Sequence, residues 1–242
     1  MPEFKEVENF PTEADDLPSL PIFSWGNLLF TSLHKKDEAA TYFKEMMLRL
    51  NWLRIEEFIH RPELSKTFEV DAHWALYCEN YLEGFHIPFV HASLNASLNF
   101  SEYTTELYPK SILQLGVGKD KSDCFDLPET SIDYGTNIAA YYFWVYPNMM
   151  FNFYPWGLSV NVIKPISIQK TKVEFIVFMW KEENYDKGAG GDLDKVEAED
   201  EEIVENVQKG VLSRFYNHGR YSVTRETGTH HFHRLIAESM NH

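Results

Sequence analysis

Cysteine is scarce in this chain: among its 242 residues only Cys78 and Cys124 occur. Two cysteines do not make the disulfide framework that stabilises small secreted domains. The first residues, MPEFKEVENFPTEADD, are acidic and polar, unlike a secretory signal peptide. We therefore expect a cytoplasmic protein whose stability comes from a hydrophobic core.

Basic residues are also few. Lysine and arginine number 22 against 37 aspartates and glutamates, so the formal net charge is −15. An acidic surface repels phosphate backbones, and the sequence contains no basic stripe or tail. No uninterrupted apolar run reaches the length of a membrane span. We therefore expect neither nucleic acid nor a membrane as a partner.

Hydrophobic residues, in contrast, make up 44% of the chain and aromatic residues 15%. This composition and length suit one large domain with a sizeable core. Segments of high β-propensity with turn residues between them predict strands within 101–109, 111–118, 137–147, 149–155, 157–167 and 172–181. Shorter strand pairs are predicted around Gly26 and Pro62, and apolar spacing predicts helices over 37–53, 72–85, 192–216 and 230–240. The order of these elements predicts an α+β fold, an antiparallel sheet with helices packed on one side.

The segment ENYLEGFHIPFVH (79–91) most directly indicates chemistry. Its two histidines, His86 and His91, are five positions apart, a spacing that does not place both on one face of a straight helix. If His86 lies at or beyond a helix end and the chain turns at Pro88, both imidazoles can converge on one ion. The spacing alone is a common coincidence, so the neighbouring residues carry much of the inference.

Two neutral histidines and one carboxylate form the facial triad that binds non-haem Fe(II) and leaves positions open for oxygen and substrate. The same ligand types occur in catalytic zinc sites, so they do not choose the metal. Glu79, Asn80 and Glu83 stand beside the histidines. They include the hydrogen-bond acceptors that the second ring nitrogen of a metal-bound histidine requires.

The same segment resembles the iron-binding motif of the Rieske-type non-haem iron oxygenases, the alpha subunits of ring-hydroxylating dioxygenases and related monooxygenases. The resemblance implies that His86 and His91 are iron ligands. It also implies that Glu83 relays electrons and protons between the iron and the Rieske cluster of a neighbouring subunit. Phe85 stands where tyrosine is usual. The implied fold is a helix-grip (START-like) domain, a curved antiparallel sheet around a long C-terminal helix.

The third iron ligand that this resemblance implies is Asp200, because residues 198–222 resemble the choline- and carnitine-type branch of the family. Asp200 also shares a helix face with an apolar set at spacings of three, four and seven: Ile203, Val204 and Val207. Other acidic residues are rivals for this role: Asp192, Asp194 and Glu199. A solvated acidic face is the alternative for the whole helix. The terminal THHFHRL (229–235) is expected to serve packing and hydrogen bonding.

Full alpha subunits of the family carry a Rieske domain whose [2Fe–2S] cluster is held by a Cys-x-His and a Cys-x-x-His pair. Neither Cys78 nor Cys124 begins such a pair, so this chain supplies no cluster ligands. We therefore expect residues 1–34 to be an N-terminal arm and the strand that follows the missing Rieske domain. Residues 35–242 are expected to form the catalytic mononuclear-iron domain, with electrons from an external reductase or Rieske protein.

Aromatic residues crowd the segment 139–157, and strand alternation turns half of them inward. We predict a substrate pocket lined by Asn80, Tyr141, Phe143, Phe151 and Phe153. Such a pocket suits a small aromatic ring or, through cation–π attraction, a quaternary ammonium group. The expected function is insertion of oxygen from O2 into such a substrate at mononuclear Fe(II). A START-like module that binds a small ligand without turnover is the alternative, and either form is expected as a monomer or a weak homotrimer.

Overall fold

The computed structural model describes residues 3–33 and 38–241. The strands in this part of the chain are β1 (Ile22–Trp25), β2 (Leu28–Thr31), β3 (Ile59–His60), β4 (Lys66–Val70), β5 (Thr104–Leu107), β6 (Ser111–Val117), β7 (Ile138–Val145), β8 (Met149–Tyr154), β9 (Gly157–Ser167) and β10 (Lys170–Met179). The α-helices are α1 (Ala39–Arg49), α2 (Trp74–Glu83), α3 (Ile87–Val90), α4 (Ala92–Ser97), α5 (Leu193–Val211) and α6 (Thr227–Met240). The domain boundary predicted between residues 34 and 35, and the predicted first residue of the helix 37–53, lie outside the described residues.

Eight strands form one antiparallel sheet in the order β3–β10–β9–β8–β7–β6–β5, with β4 pairing the same edge of β10 as β3. Strands β1 and β2 form a separate hairpin around Gly26, whose positive φ of 53° suits glycine. The six strands predicted between residues 101 and 181 are thus present as β5 to β10. From β5 to β10 each strand pairs with the next one along the chain, and all but one of these connections are short turns. The exception is the connection between β6 and β7, which spans residues 118–137.

Both faces of the sheet are covered, whereas the sequence predicted helices on one side only. Helices α2, α5 and α6 pack over one face, and α1 with the β1–β2 hairpin packs over the other. The reason is visible in β6 and β7, where every residue is buried. A strand with two covered faces is apolar throughout instead of alternating.

Strand alternation divides the aromatic residues of β7 and β8 between these two faces. Tyr141, Phe143, Phe151 and Phe153 all lie in the core against α1 and the hairpin. None of these four residues, which were predicted to line a substrate pocket, is among those that line the cavity beside His86 and His91. The pleat turns the opposite set toward the helices, and this set includes Tyr142 opposite Asn152 in the β7–β8 register.

The hydroxyl group of the buried Tyr141 finds its hydrogen-bond partner in a half-buried network of ion pairs. The Tyr141 hydroxyl donates to Asp133 Oδ2 at 2.9 Å, and Arg49 on α1 donates to both oxygens of Asp133 at 2.7 Å. The same guanidinium contacts Glu106 on β5 at 3.0 and 3.1 Å. These bidentate pairs join α1 to the sheet in a half-buried setting where their geometry matters more than at an open surface.

The N-terminal residues 3–21 form no strand and are almost entirely exposed. Helix α5 ends at Val211 and is therefore shorter than the predicted segment 192–216. Within the residues described, none of the helices combines the length and the apolarity needed to cross a membrane.

Candidate metal centre

The chain turns sharply between α2 and α3, and this turn sets the two histidines. Helix α2 ends at Glu83 because Gly84 takes the left-handed conformation, with a φ of 61°. His86 then precedes the single turn of α3, which contains Pro88, and His91 follows that turn. A proline in the first turn of a helix costs no hydrogen bond. The predicted position of His86 beyond the helix end is therefore what the backbone adopts.

His86, His91 and Asp200 come together, although 109 residues separate His91 from Asp200. The two Nε2 atoms are 3.0 Å apart, and Asp200 Oδ1 lies 3.1 Å from His91 Nε2 and 3.4 Å from His86 Nε2. One candidate ligand atom from each residue falls within 4.8 Å of the others. This is the two-histidine, one-carboxylate set that holds divalent iron and is also compatible with zinc.

Carboxylates hold the far side of each imidazole. His86 Nδ1 contacts Glu83 Oε1, and His91 Nδ1 lies 2.8 Å from Glu199 Oε2. Glu83 Oε2 also accepts the backbone N–H groups of Phe85 and His86 at 2.6 and 3.2 Å. Such outer partners fix the ring orientation and keep the proton on Nδ1, so that Nε2 offers its lone pair.

Helix α5 brings Asp200 to the histidines through a four-residue repeat. Val196, Val204 and Gln208 are its buried positions, and Asp200 lies on the same line. Val207, which the sequence placed on the apolar face, is 44% exposed. The rivals for the third ligand lie elsewhere: Asp194 pairs with Lys66, Asp192 is exposed before the helix, and Glu199 contacts the back of His91.

The two histidines favour their protonated forms, so a proton competes with a metal ion for the same nitrogen atoms. Burial lowers the pKa of His86, but hydrogen bonds to Asp200 and Glu83 outweigh burial and raise this pKa to about 9. Burial likewise raises the pKa of Asp200, but hydrogen bonds from His86 and His91 outweigh it and lower this pKa to about 2. The pKa of His91 is raised by Asp200 and Glu199 against the opposing effect of burial.

The residues present fit a divalent metal ion on their own chemistry. In their neutral forms, with both Nδ1 atoms facing carboxylates, the two imidazoles would direct their Nε2 lone pairs toward each other and toward a carboxylate oxygen. Three acceptors that converge without a hydrogen between them repel unless a cation lies among them. Asn80 Nδ2 adds a 2.6 Å hydrogen bond to Asp200 Oδ1, which orients the carboxylate.

A cavity of about 80 Å³ adjoins the three ligand atoms. By volume it has room for several water-sized groups. Its wall includes Asn80 and five tyrosines: Tyr77, Tyr81, Tyr103, Tyr142 and Tyr154. Sequence reasoning missed these tyrosines, together with Gln114 and Asn152 of the sheet and Glu197 of α5. The sequence did contain a signal for Gln114 and Asn152, because a single polar residue inside an apolar strand indicates the face of the sheet that borders a cavity.

Glu197 is the most unusual group of this wall. The Tyr77 hydroxyl donates to Glu197 Oε2 at 2.8 Å. Burial, reinforced by the negative charge of Asp200, holds the pKa of Glu197 well above its ordinary range. This setting therefore favours the protonated carboxyl group, and a cation beside it would favour the ionised one.

The terminal histidines lie outside this site. His231 Nε2 lies 2.7 Å from the backbone oxygen of Tyr108, and His233 Nε2 lies 2.8 Å from Glu79 Oε1. Both contacts are hydrogen bonds that attach α6 to its neighbours, as the sequence predicted for this segment. Glu79 consequently faces α6 and does not contribute to the histidine–aspartate cluster.

An antiparallel α/β fold with two histidines and one aspartate beside a cavity is an arrangement that could hold one metal ion. Comparison with known families is more specific. The model of the family described as "Ring hydroxylating alpha subunit (catalytic domain)" matches residues 60–242. The chain belongs to this family, as its sequence motif predicted.

Individual relatives agree with this assignment. The chain is 30% identical over 255 residues to the chloroplastic choline monooxygenase of Arabidopsis thaliana, covering 97% of this chain and 57% of that protein. It is 27% identical over 250 residues to the carnitine monooxygenase oxygenase subunit of Escherichia coli K12, covering 97% of this chain and 65% of that protein. The chain thus spans 57% of the length of the first of these relatives and 65% of the length of the second.

Solved structures share the fold. A quaternary ammonium Rieske monooxygenase studied for carnitine oxidation superposes with a TM-score of 0.74 at 21% identity, covering 98% of this chain and 66% of that one. A naphthalene 1,2-dioxygenase variant gives a TM-score of 0.63 at 14% identity, covering 89% and 63%.

Proposed function

We propose that this chain is the catalytic domain of a Rieske-type oxygenase that inserts oxygen from O2 into a small quaternary-ammonium compound at one Fe(II) ion. The observation that carries this proposal is the convergence of His86, His91 and Asp200 on one point at the wall of a cavity. Residues 35–242 would form this domain, and its fold would be of the helix-grip type, with residues 1–34 as an N-terminal arm and strand before it.

Each residue of the site has a distinct task in this proposal. His86, His91 and Asp200 would bind the iron, and Glu199 and Asn80 would hold two of these ligands in orientation. Fe(II) in such a site leaves coordination positions free, and it would supply oxygen activation next to the substrate. The tyrosines of the wall would exclude water from the reacting region and position the substrate.

Glu83 is proposed as the connection between the iron ligands and an electron donor. Its carboxylate contacts His86 Nδ1 and the two backbone N–H groups that follow the end of α2. A proton can be held at or moved from this Nδ1 atom without displacing the ligand nitrogen. Because the 242 residues contain no Cys-x-His and Cys-x-x-His pairs, electrons would come from outside them.

The substrate class rests on two supports. Curated relatives are named for choline and carnitine, both of which carry a trimethylammonium group. The wall of the cavity is rich in tyrosine, and aromatic faces attract quaternary ammonium groups by about 1–2 kcal/mol each. The small aromatic substrate considered from the sequence fits this wall less well, because polar side chains are interleaved with the rings.

Product formation tests the proposal. The iron-loaded chain would be supplied with choline and hydrogen peroxide, which carries both the oxygen atom and the two electrons that an external donor would otherwise provide. We expect oxidised choline in amounts that scale with bound iron, and none from the Asp200→Ala variant. Bound choline and bound iron without any product would contradict turnover and favour the alternative of a ligand-binding module.

A further inference from the structure

The wall of the cavity is poor in cationic side chains. Among the described residues that line it, none is a lysine or arginine, and Glu197 is the only ionisable side chain other than tyrosine outside the proposed metal ligands His86, His91 and Asp200. A substrate carboxylate would therefore find no cationic side chain outside that ligand set, whereas an ammonium group would meet Glu197. Burying an unpaired carboxylate costs several kcal/mol.

We propose that the cavity selects a cation that carries an uncharged hydroxyl group and rejects the corresponding carboxylate-bearing zwitterion, with Glu197 and Gln114 as the specificity-determining residues. This inference rests on the proposed function, since it names the substrate class of the same site. It separates two chemistries between which the relatives are divided, an ammonium alcohol and an ammonium acid.

Gln114 supplies the first part of this selection. Its Nε2 donates to the backbone oxygen of Tyr81 at 2.6 Å, which fixes the orientation of the amide. The other amide atom, Oε1, has no hydrogen-bond partner although the side chain is only 1% exposed. An unsatisfied buried acceptor costs about 1–3 kcal/mol, so this oxygen needs a donor. A hydroxyl group can donate to it, whereas an ionised carboxylate has no hydrogen to donate.

Gln114 belongs to a row of polar residues across the sheet. It lies opposite Tyr142 in the β6–β7 register, and Tyr142 lies opposite Asn152 in the β7–β8 register. Asn152 Oδ1 accepts the Tyr81 hydroxyl at 2.8 Å, and the Tyr142 hydroxyl has no partner of good hydrogen-bond geometry. The row therefore offers uncharged hydrogen-bonding groups at one wall of the cavity, all within apolar strands.

Glu197 supplies the second part, on the wall formed by α5. Tyr77 binds one of its oxygens at 2.8 Å and so fixes the carboxyl group at the cavity. Glu197 and the sheet row line the same cavity, so one small molecule can present its ammonium group to α5 and its hydroxyl group to the sheet. An ammonium alcohol can satisfy both walls, whereas the corresponding ammonium acid presents an ionised carboxylate, which has no hydrogen to donate to the sheet.

Calorimetric binding to the full chain, with and without iron, tests this inference with four small probes. They are choline, glycine betaine as its carboxylate counterpart, tetramethylammonium, which lacks the hydroxyl, and the neutral analogue of choline in which carbon replaces nitrogen. We expect choline to bind at least tenfold more tightly than glycine betaine and than the neutral analogue. Equal affinity for choline and glycine betaine, or no binding of choline, would overturn the inference.

Two variants assign the selection to its residues. Glu197→Gln keeps the shape of the side chain, and we expect it to weaken choline at least fivefold while leaving the neutral analogue unchanged. Glu202→Gln removes the same charge from the exposed side of α5 and should leave both affinities unchanged. Gln114→Leu should reduce the preference for choline over tetramethylammonium, a ratio within one variant that a general loss of folding would not alter. An unchanged ratio and an unaffected Glu197→Gln variant would contradict the assignment.

The two proposals can fail separately. A chain that prefers choline but holds no iron would contradict the oxygenase function and leave the selection intact. A chain that holds one iron and oxidises glycine betaine as well as choline would contradict the selection alone.

Discussion

His91 and Glu199 are joined by a 2.8 Å contact between the ring Nδ1 and carboxylate Oε2. The contact is the reason that His91 Nε2 faces Asp200, because it fixes which ring nitrogen carries the proton. Glu199 is one helical residue before Asp200, so one segment of α5 supplies both a proposed metal ligand and the group that orients another. This coupling leads directly to a prediction about metal affinity.

Replacing Glu199 with alanine should lower the affinity for divalent metal by about 10–100-fold, the usual effect of removing a partner of a metal-bound histidine. The measurement is competition against a chelator of known affinity. Glu202→Ala is the matched control, because this residue lies on the same helix and is exposed. Equal metal affinities in the two variants would show that Glu199 does not support the site.

Metal affinity should rise with pH between about 7 and 9. In the metal-free protein, hydrogen bonds to Asp200 and Glu83 prevail over burial and raise the pKa of His86 to about 9, so iron must displace a proton. We expect about a tenfold gain in affinity per pH unit for each proton released. Calorimetry in two buffers of different ionisation enthalpy counts these protons, and a pH-independent affinity would contradict the protonated state.

The same pKa predicts how the stability of the metal-free protein depends on pH. The pKa of His86 in the folded state, about 9, lies above the ordinary value of 6.5 expected for the unfolded chain. Protonation therefore contributes stability that is fully present below pH 6.5 and is lost as the pH rises through about 9. Urea denaturation across this range should show the decline, and His86→Ala should remove that part of it. Stability that rises over this range and is unaffected by the variant would be inconsistent with the contact geometry.

Adjacent tyrosines of β7 should respond differently to the loss of a hydroxyl group. Tyr141→Phe removes a hydrogen bond to Asp133 in the α1 network and should cost about 2 kcal/mol of unfolding free energy. Its metal content and choline binding should not change, because its side chain lies on the face away from the cavity. Tyr142→Phe should alter choline binding with a smaller effect on stability. The reverse outcome would place Tyr141 at the cavity.

Association should be weak and should increase with salt. Each chain has a net charge of −15, so assembly of several copies brings like charges together, and added salt screens that repulsion. Light scattering at low and moderate ionic strength would measure this, with a monomer or a weak trimer as the expected states. A trimer that persists in dilute, low-salt solution would contradict the prediction.

Much of the fold followed from local sequence patterns. The turn residues between β5 and β10 predicted the strands of the sheet, and the apolar spacing of α2 and α5 predicted these two helices. Pro88 likewise predicted the turn that places His86 beyond the end of α2. These features depend on residues close together in the chain, so that sequence alone contains the information.

Which residues of β7 and β8 point toward the cavity could not be predicted in the same way. Their residues are buried on both sides, so the alternation of polar and apolar residues that normally identifies the inner face is almost absent. The exception in β8 was Asn152, and Gln114 is a similar polar residue in the neighbouring strand β6; their polarity inside apolar strands marks the cavity face. The role of Glu199 also escaped sequence reasoning, because it depends on a contact over 108 residues.

Iron content tests the central claim most directly. The chain would be loaded anaerobically with Fe(II), freed of excess metal and analysed for iron per protein, alongside its Asp200→Ala and Asp194→Ala variants. Asp194 is a fair control because it lies on the same helix but pairs with Lys66. We predict about one iron per chain for the unmodified protein and for Asp194→Ala, and most of the iron lost from Asp200→Ala. Iron retained by Asp200→Ala and lost from Asp194→Ala would contradict the site.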